Sequence, residues 1–256
     1  MMLEKELKAA KEAAYESGKI LMANYGRVSV RYKKDRSIVT DSDLASEKLI
    51  KEALKKEFPE YSFLAEESGL EDTGSEYEWV IDPLDGTTNY SIRNPFFNVS
   101  IALAKNDVPV LGVVYYPFQD ELFHAVDGMG AYLNDQKIRV SAKASIRDAF
   151  VCFCHGHDPE TVNKAIIAYS KIKPVTDRMR QIGASELELS YLGCGRVDAF
   201  FMLKQNPWDI ASGTLIVREA GGIVSDIDGK SFNLKSKDAV ASNGLVHKEL
   251  LELLRI

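Results

Sequence analysis

The sequence predicts a layered α+β fold, and three observations predict it. Helical and strand patterns come in blocks and do not alternate strictly, which disfavours a barrel or a single doubly wound sheet. Successive apolar β runs are separated by Asp, Pro and Gly turns, the mark of consecutive antiparallel strands. Over 256 residues, 45% hydrophobic and 27% charged is the balance of a globular chain able to bury a large core. We expect one unit over residues 1–256, with a soft subdivision into halves 1–145 and 146–256 near "AKASIRD".

Element by element, Leu3, Leu7, Ala10, Ala14, Ile20 and Leu21 recur at helical spacing, and Gly26 is a plausible stop. "SIVTDSD" reads as a strand running into a helix start, with Asp41, Ser42 or Asp43 as cap. "LASEKLIKEALKKEF" is helical, with Pro59 just past its end. "YSFLAEESG" and "YEWVIDP" are strands, the second expected to end at Asp82. "NVSIALAKN", "PVLGVVYYP", "ELFHAVDG" and "GAYLND" carry β signals, and "DAFVCFCHG" is a further strand. "DPETVNKAIIAYSKI" begins with a capping aspartate and a proline in the first turn. A short strand in "PVTDRMRQIG" precedes a helix in "ASELELSYLGCG" and a strand in "VDAFFML". "NPWDIASGTLIVREAGG" is a helix entered at Pro207 and left at Gly221, "GIVSDIDGK" is a hairpin arm, and "HKELLELLRI" is a helix.

The totals exclude several functions. A net charge of −6 and a pI near 5.4 leave no basic footprint for nucleic acid. The dense basic run "RYKKDR", Arg31 to Arg36, reads as a solvated hairpin or loop, or as a loop that attracts an anionic substrate. Cys152, Cys154 and Cys194 are too few and odd in number for a disulfide framework. The first residues are charged and helical, unlike a signal peptide, and no apolar run approaches the roughly 20 residues that span a bilayer. A cytoplasmic setting without membrane contact is the expectation.

The chemistry is carried by "VIDPLDGTTNY". A strand that meets Asp82-Pro83 must turn, and the turn aims Asp82, the Leu84 carbonyl and Asp85 at a common point. Hard divalent cations take such oxygen ligands. Gly86 permits close backbone approach, and "GTTNYS" can open a short helix toward an anion. Glu66 and Glu67 end another apolar strand, and Asp209 starts a helix. Three acidic clusters at the mouths of apolar elements suggest one carboxylate-lined site, since crowded carboxylates are costly to bury without a cation. Phosphate ester hydrolysis with water as nucleophile suits such a site. "CFCHGHD" (Cys152, Cys154, His155, His157) lacks the second cysteine pair of a zinc site and reads as buried, inert thiols.

These residues carry a family resemblance. "WVIDPLDGTTNY" and "NPWDIASGTLIVREAGG" resemble the two signatures of the inositol monophosphatase family of magnesium-dependent, lithium-sensitive phosphatases; "FLAEESG" and "IVTDSD" resemble its Glu-Glu and Thr/Asp elements, in the same order. The resemblance implies a five-layer αβαβα sandwich, as in inositol monophosphatase and fructose-1,6-bisphosphatase, and a homodimer. It implies two or three magnesium ions: Glu66, Asp82 and the Leu84 carbonyl at the first, Asp82, Asp85 and Asp209 at the second, Glu66 through waters at the third. Thr87 with Asp43 would activate the attacking water, the N–H groups of Gly86 and Thr87 would hold the phosphate, and Glu67 would support the ligands from behind. Gly183, Ala184 and Ser185, with Asp85 and Asp209, would meet substrate hydroxyls. Many members carry a glutamate seven residues before the Trp-Asp aspartate; here that position is Met202. Arg178 and Arg180 read as surface charge or as a clamp for a second phosphate. The implied substrate is myo-inositol monophosphate with fructose 1,6-bisphosphate alongside. Histidinol phosphate, NADP and 3′-phosphoadenosine 5′-phosphate are alternatives within the same chemistry. The resemblance also implies an alternative, since some relatives act as partners of the transcription machinery independently of catalysis.

Overall fold

The computed structural model describes residues 3–33 and 37–255. Of the basic run, Lys34, Asp35 and Arg36 lie outside the described residues. Helix α1 (Glu4–Asn24) leads to a hairpin, β1 (Val30–Tyr32) and β2 (Ile38–Thr40), and to α2 (Asp41–Glu57). Strands β3 (Ser62–Ala65), β4 (Gly69–Glu71) and β5 (Tyr77–Asp85) follow, then a single helical turn or so, α3 (Thr87–Ser91). The next strands are β6 (Asn98–Lys105), β7 (Val108–Tyr116), β8 (Glu121–Val126), β9 (Gly130–Leu133) and β10 (Gln136–Lys137). After them come β11 (Val151–His155), α4 (Pro159–Ile172), β12 (Met179–Arg180), α5 (Ser185–Gly193) and β13 (Ala199–Leu203). The chain closes with α6 (Ala211–Glu219), β14 (Ile223–Ser225), β15 (Asp238–Ser242) and α7 (His247–Leu254).

Among the described residues, eight strands form one sheet in the order β10-β9-β8-β7-β6-β5-β3-β4, and five form another in the order β12-β11-β13-β15-β14. Strand alternation tells each face what to cover. Trp79 and Ile81 of β5 point to one side and pack with Ala10, Ala14, Leu21, Ile50 and Leu54 of α1 and α2. Val80 points to the other side, into a cluster with Leu189, Leu192, Val217 and Phe200 that joins α5 and α6 to the second sheet. Phe201 and Leu203 of β13 face outward, where Ala165, Ala168, Ile172, Leu250 and Leu254 of α4 and α7 cover them. The layers therefore run α, β, α, β, α, each face closed by apolar side chains, of which the leucines, isoleucines, valines and phenylalanines contribute about 1.5–3 kcal/mol apiece on full burial. Helix α5 is buried all round because it lies between two sheets.

Two local readings differ from expectation. The cap of α2 is Thr40, not a residue of Asp41–Asp43: its hydroxyl accepts from Ser42 N, and Asp43 reaches back to Thr40 N in a capping box. Strand β5 does not stop at Asp82. It bulges over Pro83 and Leu84 and resumes pairing with β6 at Asp85–Asn98. Ser46 steadies the bulge by donating to the Pro83 carbonyl at 2.8 Å. The proline interrupts the ladder without ending the strand.

Candidate active site

Topology brings the acidic residues together. Strands β3 and β5 are parallel, and their register pairs Ala65 with Ile81. The next residues, Glu66 and Asp82, therefore emerge side by side at one sheet edge, where Glu66 N donates to the Ile81 carbonyl at 3.1 Å. The bulge adds Leu84 and Asp85. In the second sheet, β11 and β13 run parallel with Cys154 opposite Met202, and a 3₁₀ turn over Pro207–Asp209 follows β13 and packs against β5. Glu66, Asp82, Leu84, Asp85, Gly86, Thr87, Gly183, Ser185 and Asp209 all line one cavity of about 460 Å³.

Each carboxylate is oriented by the chain itself. Asp82 Oδ1 accepts from Leu84 N at 3.0 Å. Asp85 is held on both oxygens, by Ser185 N at 3.2 Å, Glu186 N at 2.8 Å and Asn98 Nδ2 at 2.7 Å. The first of these donors open α5, whose amino end favours an anion. Asp209 accepts from the Asn206 backbone and side chain at 2.8 and 3.1 Å. Lys33, from the basic run, bridges Glu66 at 2.9 Å and Glu67 at 2.6 Å. Glu67 stands behind the cavity wall, its own N–H donating to Glu47 Oε2 at 2.8 Å.

Gly86 is required where it stands. Its φ is +87°, and an added Cβ would lie 2.7 Å from the Phe96 carbonyl oxygen. The turn it makes places Thr87 so that its hydroxyl reaches Asp43 Oδ1 at 3.1 Å and the Leu84 carbonyl at 3.0 Å. Asp43 is fully buried, and its other oxygen is held by Thr40.

The electrostatics are those of anions without enough counter-charge. Burial first, then the charges of Glu66, Asp85 and Asp209, push the Asp82 carboxyl well above its ordinary range. Burial raises Asp209 to about 7. It raises Glu66 to about 7 as well, against the pull of Lys33. Among the described residues, no three His, Cys, Asp or Glu side chains stand gathered as a ready-made coordination cluster. The donor set nonetheless fits a hard divalent cation: carboxylate oxygens and one backbone carbonyl face a common cavity, at mutual ranges where their charges repel.

Several residues fall outside the expectation. Ala184 is buried beneath the wall and does not line it. Arg178 and Arg180 do not line the cavity either: Arg178 donates to the Asp148 carbonyl at 2.8 Å, and Arg180 lies over the Phe150 ring at 5.6 Å. Both guanidinium groups thus have partners away from the site, which corrects the clamp reading. Cys154, His155, His157, Gln181 and Met202 do line the cavity. Burial holds the Cys154 thiol far above its usual range, as an inert group. Sequence reasoning missed Lys33, Asn89, Asn98, Glu186 and Glu188. The last two are fully buried carboxyls, each raised by burial to about 8. The available signal was a pair of glutamates inside the apolar run "ASELELSYL".

The family model described as the inositol monophosphatase family matches residues 2–256. The chain belongs to the inositol monophosphatase family. It is 38% identical to an inositol-1-monophosphatase of Synechocystis, over 98% of this chain and 89% of that one. It is 39% identical to a fructose-1,6-bisphosphatase/inositol-1-monophosphatase of Thermotoga maritima, over 92% and 90%. A protein of Pasteurella multocida called Nus factor SuhB is 38% identical over 96% and 94%. The solved structure of the extragenic suppressor protein suhB from Bartonella henselae superposes with a TM-score of 0.93 at 35% identity, covering 98% and 99% of the two chains. As a member of this phosphatase family, the protein is a phosphoric monoester hydrolase. No helix among the described residues is long and apolar enough to cross a membrane.

Proposed function

We propose that the protein is a magnesium-dependent phosphatase whose first substrate is myo-inositol monophosphate, with fructose 1,6-bisphosphate as a second. The observation that carries this reading is the gathering of Glu66, Asp82, Asp85 and Asp209 on one cavity beside Thr87. Glu66, Asp82, the Leu84 carbonyl, Asp85 and Asp209 would hold the ions. Bound there, magnesium would neutralise phosphate charge, lower the pKa of water and stabilise the departing oxygen. The chain's own residues do the rest. Thr87 donates a hydrogen bond to Asp43, which leaves an oxygen lone pair to accept from the attacking water; as the water oxygen bonds to phosphorus, its proton passes to Thr87 while the Thr87 proton passes to Asp43. The Gly86–Thr87 backbone receives the phosphate. A further stretch of the wall, Gln181 to Gly183 with Met202, His155 and His157, receives the alcohol.

That wall favours a polyol over a second phosphate. No lysine or arginine lines it among the described residues, whereas His155, His157 and Gln181 offer hydrogen-bonding groups. Fructose 1,6-bisphosphate use is supported by the name of the Thermotoga relative. The test is phosphate release from inositol 1-phosphate, fructose 1,6-bisphosphate, histidinol phosphate, NADP and 3′-phosphoadenosine 5′-phosphate, each with magnesium and with chelator. Release of phosphate from inositol 1-phosphate that vanishes with chelator is the expected result; chelator-insensitive release sinks the metal reading. Met202→Glu should shift preference further toward the inositol ester, by about tenfold in the ratio of kcat/KM values, because a carboxylate accepts hydroxyl protons and repels a second phosphate.

The relatives called Nus factor SuhB favour a second reading, a transcription-machinery partner. It predicts polymerase binding that survives Asp82→Asn; binding lost together with the metal site counts against it.

A further inference from the structure

The cavity wall beside Gly86 and α3 is irregular backbone, Ile182 and Gly183, with Gly183 at φ +82°. Irregular backbone at a site needs something to hold it. Both N–H groups of this pair end on one carboxyl: Glu188 Oε1 accepts from Ile182 N at 2.5 Å and from Gly183 N at 3.3 Å. Both carbonyls end on one amide: Asn89 Nδ2 donates to Ile182 O at 2.8 Å and Gly183 O at 3.2 Å, and also to Phe96 O at 2.8 Å. The far atoms of the two side chains are tied as well. Glu188 Oε2 accepts from Cys154 Sγ at 3.2 Å, and Asn89 Oδ1 accepts from Asn94 Nδ2 at 2.9 Å.

Helix α5 does not need Glu188 to stay in place. Its first turn is bonded to Asp85 through Ser185 N and Glu186 N, and Leu187, Leu189 and Leu192 are fully buried in the core. The hydrogen-bond partners of the Glu188 side chain are Ile182, Gly183 and Cys154, and all of them line the cavity. A fully buried carboxyl is costly, and this one spends its acceptors on the wall of the site. The grip also reaches the phosphate side. A Cβ on Gly86 would stand 3.3 Å from the Gly183 carbonyl oxygen and 2.7 Å from that of Phe96, the groups that Asn89 ties together.

We propose that Glu188 is a positioning residue which, with Asn89 as the opposite jaw, fixes the Ile182–Gly183 backbone as the wall that receives the alcohol of the phosphate ester. The proposal rests on the phosphatase reading above. It assigns Glu188 to affinity for the leaving group's hydroxyls, not to proton transfer or to the ions.

The experiment compares wild type, Glu188→Ala, Glu188→Gln and Asn89→Ala on inositol 1-phosphate and on phenyl phosphate, whose alcohol has no further hydroxyls to place. With magnesium saturating, Glu188→Ala should raise KM for inositol 1-phosphate about tenfold while kcat changes less than about threefold. Phenyl phosphate should change by less than about twofold in either constant, since the reacting centre is intact. Glu188→Gln keeps an oxygen that accepts from both N–H groups and should recover the wild-type KM. A Glu188→Gln enzyme as impaired as Glu188→Ala would overturn the proposal, because charge and not grip would then matter. Equal losses of kcat on both substrates would overturn it too. Where Glu188→Ala fails to fold, Asn89→Ala has to show the same KM-selective loss, and its absence is equally fatal. Amide hydrogen exchange of full-length protein gives a readout free of activity: Ile182 and Gly183 should exchange faster in Glu188→Ala than in wild type or Glu188→Gln. A wild type that releases no phosphate would sink the phosphatase reading, and the exchange rates would still decide whether Glu188 grips the wall.

Discussion

Asp82→Asn is expected to lower magnesium-dependent phosphate release by at least about 10³-fold and, in metal-free protein, to raise the melting temperature. The two effects have one cause. Asp82 sits at the centre of the acidic group, nearly buried, with Glu66, Asp85 and Asp209 all acting on its charge. With a cation present that charge is a ligand; without one it is a liability. Asparagine keeps an oxygen for Leu84 N and removes only the charge. The sign of the pH dependence follows. Glu66 and Asp209 keep their protons in the folded protein up to about pH 7, and Asp82 keeps its own beyond the ordinary range. In the unfolded chain such groups let go near pH 4, by the order of model carboxylates. Their raised folded values contribute stability that is fully present below the unfolded value and is lost as pH rises through about 7. Metal-free wild type should therefore melt lower at pH 8 than at pH 5, by calorimetry in chelator. Asp82→Asn should lose less across that range, and magnesium should flatten the slope for wild type far more than for the variant. Glu186 and Glu188, raised to about 8 mainly by burial, leave a residual slope in both. A variant that melts below wild type without metal would mean that Asp82 is not crowded, and the account of the site would go with it.

The parts of this site that were legible in the sequence are those whose geometry is local. Asp82, Pro83 and Asp85 set their own bulge within four residues, and Gly86 announces the tight turn that only a residue without Cβ makes beside Phe96. Glu66 and Asp209 were legible as acids at the ends of apolar elements, although only the parallel register of β3 against β5 puts Glu66 next to Asp82. The layered architecture was legible because each strand's alternation and each helix's apolar stripe name a covered face. What stayed hidden depends on distant pairing. Asn98 looks like an ordinary polar residue entering a strand until β6 sets it opposite Asp85. Glu186 and Glu188 look like solvated helix positions until a second sheet closes over α5. Arg178 and Arg180 show the reverse error: proximity in sequence to Gly183 suggested a phosphate clamp, whereas Asp148 and Phe150 hold them elsewhere. Lys33 was hidden inside a basic run whose other members gave no hint that one of them crosses to Glu66 and Glu67.

Thr87→Ala is expected to reduce kcat by about 10²–10⁴-fold while leaving magnesium affinity unchanged, since the proposed mechanism gives the residue the proton of the attacking water and not the ions. The hydroxyl has two acceptors in reach, the Leu84 carbonyl at the cavity and Asp43 Oδ1 behind it; donation to the buried Asp43 turns the proton away from the cavity that Thr87 lines. The lone pairs on that side are left to orient water. Asp43 is prepared for the proton it would receive. Its Oδ2 is engaged by Thr40 N and the Thr40 hydroxyl, which leaves Oδ1 toward Thr87. Burial raises the Asp43 carboxyl, and the hydrogen bonds from Thr40 and Thr87 work against that rise and favour the ionised, accepting form. Thr87→Ser retains the hydroxyl and should keep activity within about tenfold of wild type. Asp43→Asn should cost a similar factor to Thr87→Ala. The pair should be strongly non-additive, because removing either member already breaks the same relay. Asp43 also caps α2, so its variant has to be read beside a melting curve, whereas Thr87→Ala removes no cap. Steady-state kinetics on inositol 1-phosphate with a calorimetric magnesium titration separate the two roles: a Thr87→Ala protein that binds magnesium like wild type but barely turns over supports the relay. Loss of magnesium binding with intact turnover at saturating metal would instead make Thr87 part of the ion site and leave the water without an assigned base.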